Sequence, residues 1–199
     1  MSSLIEMITQ QLTDDRRVSQ LSGQLGADQA TTKNALGTAL PMLMGALARN
    51  SGDQNGAAAL DRALDKHDGG ILDNLDGFLE APDVDDGNGI LRHMLGNKRG
   101  NVETGVSKAS GLDPSLVAKL LPMLAPVVLG ALGKQKRQQN LSAEGLASML
   151  GSERQQIEQS NPAMGMLQGL LDQDGDGKVA DDILGKVGKG LLGGLFGRK

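Results

Sequence analysis

Aromatic residues are almost absent from this chain of 199 residues, and their absence restricts its possible folds more than any other feature. There is no Trp or Tyr, and the Phe residues are Phe78 and Phe196. Leu, Ala, Met, Val and Ile must therefore build the core. Ala, Leu and Met favour helices, whereas strands are enriched in aromatic and β-branched residues. The composition predicts an all-α, multi-helix fold.

Local signals indicate where several helices begin. Ser3 and Glu6 have the spacing of a capping box, in which each side chain accepts a hydrogen bond from the other residue's backbone amide. Asp113 precedes Pro114, and an N-cap followed by proline at the first helical position is a typical helix start. Residues 161–162, Asn-Pro, repeat that start signal and predict a further helix ahead of residue 172.

Two stretches, residues 35–48 and 120–133, are apolar and carry no charge. Each has 14 residues, whereas a membrane-spanning helix needs about 20, so we expect buried core helices. Pro41, Pro122 and Pro126 lie within them. Because proline lacks an amide donor and clashes with the preceding turn, we expect each to start or kink a helix.

The same two stretches resemble each other and indicate an internal duplication. Residues 39–43 (ALPML) correspond to residues 120–124 (LLPML). A Gly-x-Asp motif precedes each stretch, at residues 26–28 and at residues 111–113. Two related helical units explain this pattern, with independent helix patterning as the alternative. We therefore predict an internally duplicated helical bundle. Its expected units are residues 1–106, residues 107–171 and a C-terminal segment of residues 172–199.

The most specific motif lies in that last segment, at residues 172–183. Three aspartates alternate with other residues, and glycine occupies the sixth position, as in a helix-loop-helix calcium loop. Position twelve, where a bidentate Glu is usual, holds Ile183. The predicted ligands are the carboxylates of Asp172, Asp174 and Asp176, the carbonyl of Lys178, and Asp181 or Asp182 to close the shell. Calcium is the expected cofactor, magnesium fits less well, and a solvated acidic turn is the alternative.

Residues 183–199 combine apolar side chains, lysines, arginine and many glycines. Glycine weakens an isolated helix by about 1 kcal/mol per residue relative to Ala, so this tail should need a surface for order. Packing against its own domain is one expectation. The other is docking on a protein partner, on a second copy or on a membrane surface once calcium orders the preceding loop.

Charge argues against general affinity for nucleic acid, because the net charge is −4 and the pI is near 5.2. A nucleic-acid-binding surface remains an alternative, formed by Lys98, Arg99, Lys134, Lys136 and Arg137. The region from residue 61 to residue 86 is rich in Asp and is expected to be a solvated helix face. At its end, Asp83 and Asp85 could form a second cation site with Asn88, but these residues lack a recognised ligand spacing. With no cysteine and no visible secretory signal, a cytoplasmic location is expected.

Catalytic chemistry has little support in the sequence. The two histidines, His67 and His93, are not embedded in a nucleophile or metal motif. His67 is expected at the surface among acids. His93 is expected on a helix, with hydrogen-bond partners for its ring nitrogens. An unrecognised hydrolase would require the acids between Asp73 and Asp86 to converge in a pocket, and we do not expect an enzyme.

Several short motifs together resemble one bacterial family. They are Leu40-Pro41, residues 89–96 (GILRHMLG), the Ser-Gly-Leu turn at residues 110–112, and residues 121–130 (LPMLAPVVLG). This combination is similar to the bacterial domain-of-unknown-function family 937, related to the YidB-like proteins. The resemblance implies an all-helical bacterial protein and brings no established activity. We therefore expect a non-enzymatic, calcium-associated structural or regulatory interaction module.

Overall fold

The computed structural model describes residues 3–160, and all regular elements in this range are helices. They are α1 (Leu4–Leu12), α2 (Asp15–Leu25), α3 (Gln29–Asn50), α4 (Gln54–Leu64), α5 (Gly70–Asp73), α6 (Leu75–Glu80), α7 (Val84–Leu95), a 3₁₀ turn (Gly96–Lys98), α8 (Arg99–Ser110), α9 (Pro114–Gln139) and α10 (Ala143–Ser160). The all-α prediction is confirmed for this part of the chain.

Two long helices, α3 and α9, form the centre of the fold. Helix α3 packs against α1, α2, α8 and α10, and α9 packs against α7, α5, α8 and α3. The apolar middle of each is buried, as expected for residues 35–48 and 120–133. By length and composition α9 could also cross a membrane, but 83% of its most apolar window is buried inside the protein. Its apolar surface is therefore already covered by protein.

The helix starts predicted at Ser3 and at Asp113 are present. Ser3 and Glu6 form the capping box of α1, with Glu6 N to Ser3 Oγ at 3.2 Å and Ser3 N to Glu6 Oε2 at 3.0 Å. Asp113 caps α9 by accepting a hydrogen bond from the Ser115 amide at 2.8 Å, and Pro114 is the first helical residue. An N-cap of this kind stabilises a helix by about 1 kcal/mol.

The three central prolines all lie inside helices, Pro41 in α3 and Pro122 and Pro126 in α9. Each removes the amide that would bond the carbonyl four residues earlier. Pro126 thereby leaves the carbonyl of Pro122 without its usual helical donor. Gly87 of α7 lies against that carbonyl, where an added Cβ atom would overlap the oxygen. Proline and glycine thus allow α7 and α9 to approach closely.

The connection between α4 and α5 approaches α9 in the same way. A Cβ atom at Gly133 would overlap the backbone carbonyl of His67, and one at Gly130 would overlap the side chain of Ile71. Gly69, at φ 98°, lies against Lys134. These glycines bring residues 67–71 onto the surface of α9.

Residues 1–106 and 107–171 were expected to be two related helical units. The boundary at residue 106 falls inside α8, which continues to Ser110. One continuous set of buried apolar side chains extends from Leu4 to Ile157. Within residues 3–160, both expected units therefore contribute to a common core.

Candidate ligand-binding cleft

An open cleft of about 730 Å³ lies between α4 and α7. The end of α3 and one residue of α9 form its base. Its lining residues are Leu47, Asn50, Asn55, Gly56, Ala59, Leu60, Arg62, Ala63, Lys66, His67, Asp86, Gly89, Ile90, His93, Met94 and Leu129. A volume between about 300 and 1,000 Å³ is typical of small-molecule sites.

The walls of this cleft are held by the close helix contacts. Gly87 fixes α7 against α9, which places Asp86 and His93 along one wall. Gly133 fixes the backbone of His67 against α9 at the end of the other wall. The close backbone contacts at Gly87 and Gly133 therefore position both walls of the cleft.

Both histidines of the chain line this cleft. The Nε2 atom of His67 lies 3.8 Å from Oδ1 of Asp86, and its side chain is 20% exposed. His93 is exposed on α7. His67 is thus more enclosed than the sequence indicated, and the prediction that His93 lies on a helix is confirmed. No Ser, Thr, Cys or Tyr hydroxyl or thiol lines the described cleft beside them.

The rim of the cleft carries more positive than negative charge. Arg62 and Lys66 are exposed on α4 and its end, and neither forms an ion pair with a residue in the described range. The Nε of Arg62 donates to the Ala58 carbonyl at 3.2 Å. Asp86 is the acidic residue of the lining. This balance contrasts with the acidic net charge of the whole chain.

A second hollow of about 600 Å³ continues the cleft past the end of α7. The two share Asn50, His93 and Met94, so they meet along one wall. Arg49 and Lys98 line the second hollow, which contains no acidic residue among its lining side chains. Basic side chains therefore line both hollows.

Other basic side chains are neutralised at the C-terminal end of α9. We define the α9 ion-pair cluster as Lys134, Lys136 and Arg137 with Asp61, Asp65, Asp68 and Asp73. Lys136 is the most enclosed member at 17% side-chain exposure, with Nζ 2.7 Å from Asp61 and 3.0 Å from Asp65. Lys134, Lys136 and Arg137, all considered for nucleic acid, thus pair with acids of their own chain, as Arg99 does with Glu103.

The cluster changes the proton affinity of two members. The hydrogen bond with the Asp61 carboxylate, reinforced by Asp65, raises the pKa of Lys136 above its ordinary value. The Gly70 amide and the nearby Arg137 guanidinium lower the pKa of Asp68 below its ordinary value. The ion pairs hold the segment after α4 against α9, next to the end of the cleft that contains His67.

The remaining acids between residues 73 and 86 are dispersed. Asp76 pairs with Arg17 at 2.6 Å, and Asp83 caps α7 by accepting from the Asp86 amide at 2.9 Å. Asn88 accepts a hydrogen bond from Arg99, which also pairs with Glu103 at 2.7 Å. Among residues 3–160, no group of three or more His, Asp or Glu side chains is arranged to hold a metal ion.

The predicted calcium ligands, Asp172, Asp174, Asp176, Lys178, Asp181 and Asp182, lie outside the described residues. So do the tail at residues 183–199 and the helix start at residues 161–162. The cleft itself was missed by sequence reasoning. His67 and His93 were considered separately in the sequence. They lie on different walls of the cleft, so only the tertiary structure shows that they face one site.

Comparison with known proteins identifies a family over most of this structure. A family model described as bacterial protein of unknown function (DUF937) matches residues 6–135. No curated protein and no solved structure matches the chain. All residues lining the cleft lie within the matched range, whereas residues 172–182 lie beyond it.

Proposed function

The chain belongs to this family of bacterial proteins of unknown function, and we propose that it is a non-enzymatic binding module associated with calcium. The observation that carries the binding part is the open cleft between α4 and α7, which has an apolar base and a volume suited to a ligand. The helical core supplies a rigid frame for it.

The non-enzymatic part is supported by the surroundings of the two histidines. General acid–base or nucleophilic catalysis requires a reactive group within hydrogen-bond reach of a positioned base. His67 faces Asp86 across 3.8 Å, and the lining side chains include no hydroxyl or thiol nucleophile. The dispersed acids of residues 73–86 give the hydrolase alternative no support.

The calcium part is supported by the pattern of residues 172–183. Asp172, Asp174 and Asp176 alternate, Gly177 follows in the position of the sharp turn, and Asp181 or Asp182 could replace the missing bidentate acid. Calcium would draw these carboxylates together and relieve their mutual repulsion. We propose that this ordering controls how residues 183–199 engage a protein partner, a second copy or a membrane surface.

Calcium binding is tested by calorimetric titration of the full chain at neutral pH. We expect saturable calcium binding that Asp174→Ala greatly weakens, because one of the three alternating ligands is lost. Asp85→Ala is the matched control, since Asp85 is an exposed acid in the other Asp-rich stretch. Equal calcium binding by the Asp174 variant, or none by the wild type, would reject the calcium site.

Partner engagement is tested by sedimentation of the full chain and by flotation with anionic vesicles, each with and without calcium. A calcium-dependent change in oligomer size or vesicle binding is the expected result. Indifference to calcium in both assays would reject control of the tail by the loop.

We also propose that the two central helices derive from an internal duplication. Gly26 and Gly111 both adopt left-handed backbone conformations, and Asp28 and Asp113 each cap the long proline-containing helix that follows. The packing is reciprocal as well, because α10 lies on α3 while α4 lies on α9. An experimental structure in which α2–α4 do not superpose on α8–α10 would contradict this origin.

Nucleic-acid binding is the alternative function. Pairing of Lys134, Lys136 and Arg137 with acids leaves little free positive charge at the end of α9. Binding to phosphate backbones depends on such free charge and weakens steeply with salt. Salt-sensitive retention of the full chain on duplex DNA would favour this alternative over the proposed module.

A further inference from the structure

We propose that the cleft between α4 and α7 binds a small amphipathic anion, a single aliphatic chain ending in a carboxylate or phosphate monoester. The inference rests on the binding part of the proposed function and is independent of calcium. Its basis is the combination of an apolar base with a positive rim in the same cleft.

The base of the cleft suits an aliphatic chain. Leu47, Leu60, Ile90, Met94 and Leu129 line it, and they come from four different helices. Removing an aliphatic group from water contributes about 0.8 kcal/mol for each buried CH₂. Met94 adds an adaptable surface, because its unbranched thioether side chain conforms to irregular ligands.

The rim suits an anionic head group. Arg62, Lys66 and the two histidines surround the opening, with Asp86 as the opposing acid. Elsewhere in the described chain, the strongest concentration of basic residues is neutralised in the α9 ion-pair cluster. Arg62 and Lys66 form no such pair with residues 3–160, so their charge is available to an incoming carboxylate or phosphate.

Charge should therefore determine which ligands bind. An aliphatic cation would place its positive head beside Arg62 and Lys66, and inorganic phosphate would leave the apolar base empty. The proposal predicts that neither competes with an anion that carries an aliphatic chain. Decanoate and decyl phosphate are suitable probes, with decyltrimethylammonium and inorganic phosphate as comparison ligands.

The experiment is calorimetric titration of the full chain in the presence of a calcium chelator, with each probe below its micelle concentration. We expect saturable binding of decanoate and decyl phosphate and none of the two comparison ligands. The double variant Arg62→Gln/Lys66→Gln should bind at least about tenfold more weakly, because charge-assisted contacts to the head group are lost. Lys119→Gln, an exposed lysine of α9 outside the lining, is the charge control.

A steric pair tests the location. Ala59 is exposed on α4 and lines the cleft, whereas its neighbour Ala58 is exposed and does not. Ala59→Phe should abolish binding by filling the cleft, and Ala58→Phe should leave the affinity unchanged. Neither substitution replaces a buried residue, so both variants should fold, and their circular dichroism provides the check.

The two histidines report on the same site by nuclear magnetic resonance. Because both line the cleft, their ring proton resonances should shift in step with the calorimetric binding curve. Binding of decyltrimethylammonium as tight as that of decanoate, undiminished affinity of Ala59→Phe, or histidine resonances that stay in place would each overturn the proposal. Calcium binding measured separately would then still stand, which distinguishes this failure from failure of the calcium site.

Discussion

Gly87 lies so close to the backbone carbonyl of Pro122 that a single methyl group at this position would overlap the oxygen. That carbonyl lacks its helical donor because Pro126 has no amide hydrogen. The contact holds α7 against α9 and thereby sets one wall of the cleft.

Gly87→Ala should lower the free energy of unfolding by about 1 to 3 kcal/mol, the usual range for inserting atoms into a packed interface. Gly89, two residues along the same helix, has open space around its Cβ position. Gly89→Ala should therefore raise stability by up to about 1 kcal/mol through helix propensity. Urea unfolding of both variants measures the difference. Similar destabilisation by the two would show that the α7–α9 approach is looser than described.

Gly133→Ala should displace the segment that contains His67, because the new methyl group would overlap the His67 carbonyl. Its effect is visible by nuclear magnetic resonance, since the chain has two histidines. The ring resonances of His67 should move, while those of His93, carried by α7, should change less. Gly37→Ala in α3 meets open space and serves as the control. Unchanged His67 resonances in Gly133→Ala would contradict the close contact.

Lys136→Met should cost about 1 kcal/mol of stability at neutral pH, because two acids lose their partner while the aliphatic stem is kept. The matched control, Lys119→Met, removes an exposed charge elsewhere on α9 and should change stability by less than about 0.5 kcal/mol.

The pH dependence of this difference follows from the raised pKa of Lys136. A raised pKa means that the folded state holds the proton of Lys136 more tightly than the unfolded state does. The charged lysine therefore contributes its full stabilisation at pH values below its ordinary pKa of 10.5. It is lost as pH rises through the higher folded value. Urea unfolding at neutral pH and in steps above 10.5 should show the gap between wild type and Lys136→Met closing. A constant gap would point to packing rather than charge.

Asp68→Asn tests the acid side of the same cluster. The pKa of Asp68 is lowered in the folded state, so its charge stabilises the protein above the ordinary value of 3.8 and ceases to do so as pH falls through the folded value. Wild type should exceed Asp68→Asn in stability at neutral pH, and the two should converge in acid. Asp85→Asn is the control at an exposed acid. Thermal unfolding across this pH range is the measurement, and divergence in acid would refute the assignment.

Sequence reasoning was most successful where the determinants are local. The capping box of Ser3 and Glu6 and the Asp113-Pro114 start were predicted correctly because each involves residues within one turn. The burial of residues 35–48 and 120–133 also followed from composition. The positions of the prolines within their helices were harder to predict. Whether a helix continues through Pro122 and Pro126 depends on tertiary contacts around the backbone groups that proline leaves without a hydrogen bond.

Long-range relationships were not accessible in the same way. The acids of residues 61–73 were expected on a solvated face, and Asp65, Asp68 and Asp73 are exposed there. The sequence did not show that these acids pair with basic residues about 70 positions later, as in the Asp68–Arg137 pair. The sequence shows which side chains are charged, but it does not show which of them form ion pairs in the fold. The cleft was missed for the same reason, because its walls are distant in the chain.

The sequence alone determined the class of secondary structure, the helix starts and the two apolar central helices, because propensity, capping and hydrophobic burial act over a few residues. It also identified the family and the aspartate pattern at residues 172–182. The tertiary structure decided which charges are neutralised and where an open cleft forms. Both depend on the close approach of backbone segments at Gly87 and Gly133. A side chain at either position would overlap the carbonyl of a residue distant in the chain, Pro122 or His67, and the sequence does not show which residues will meet there.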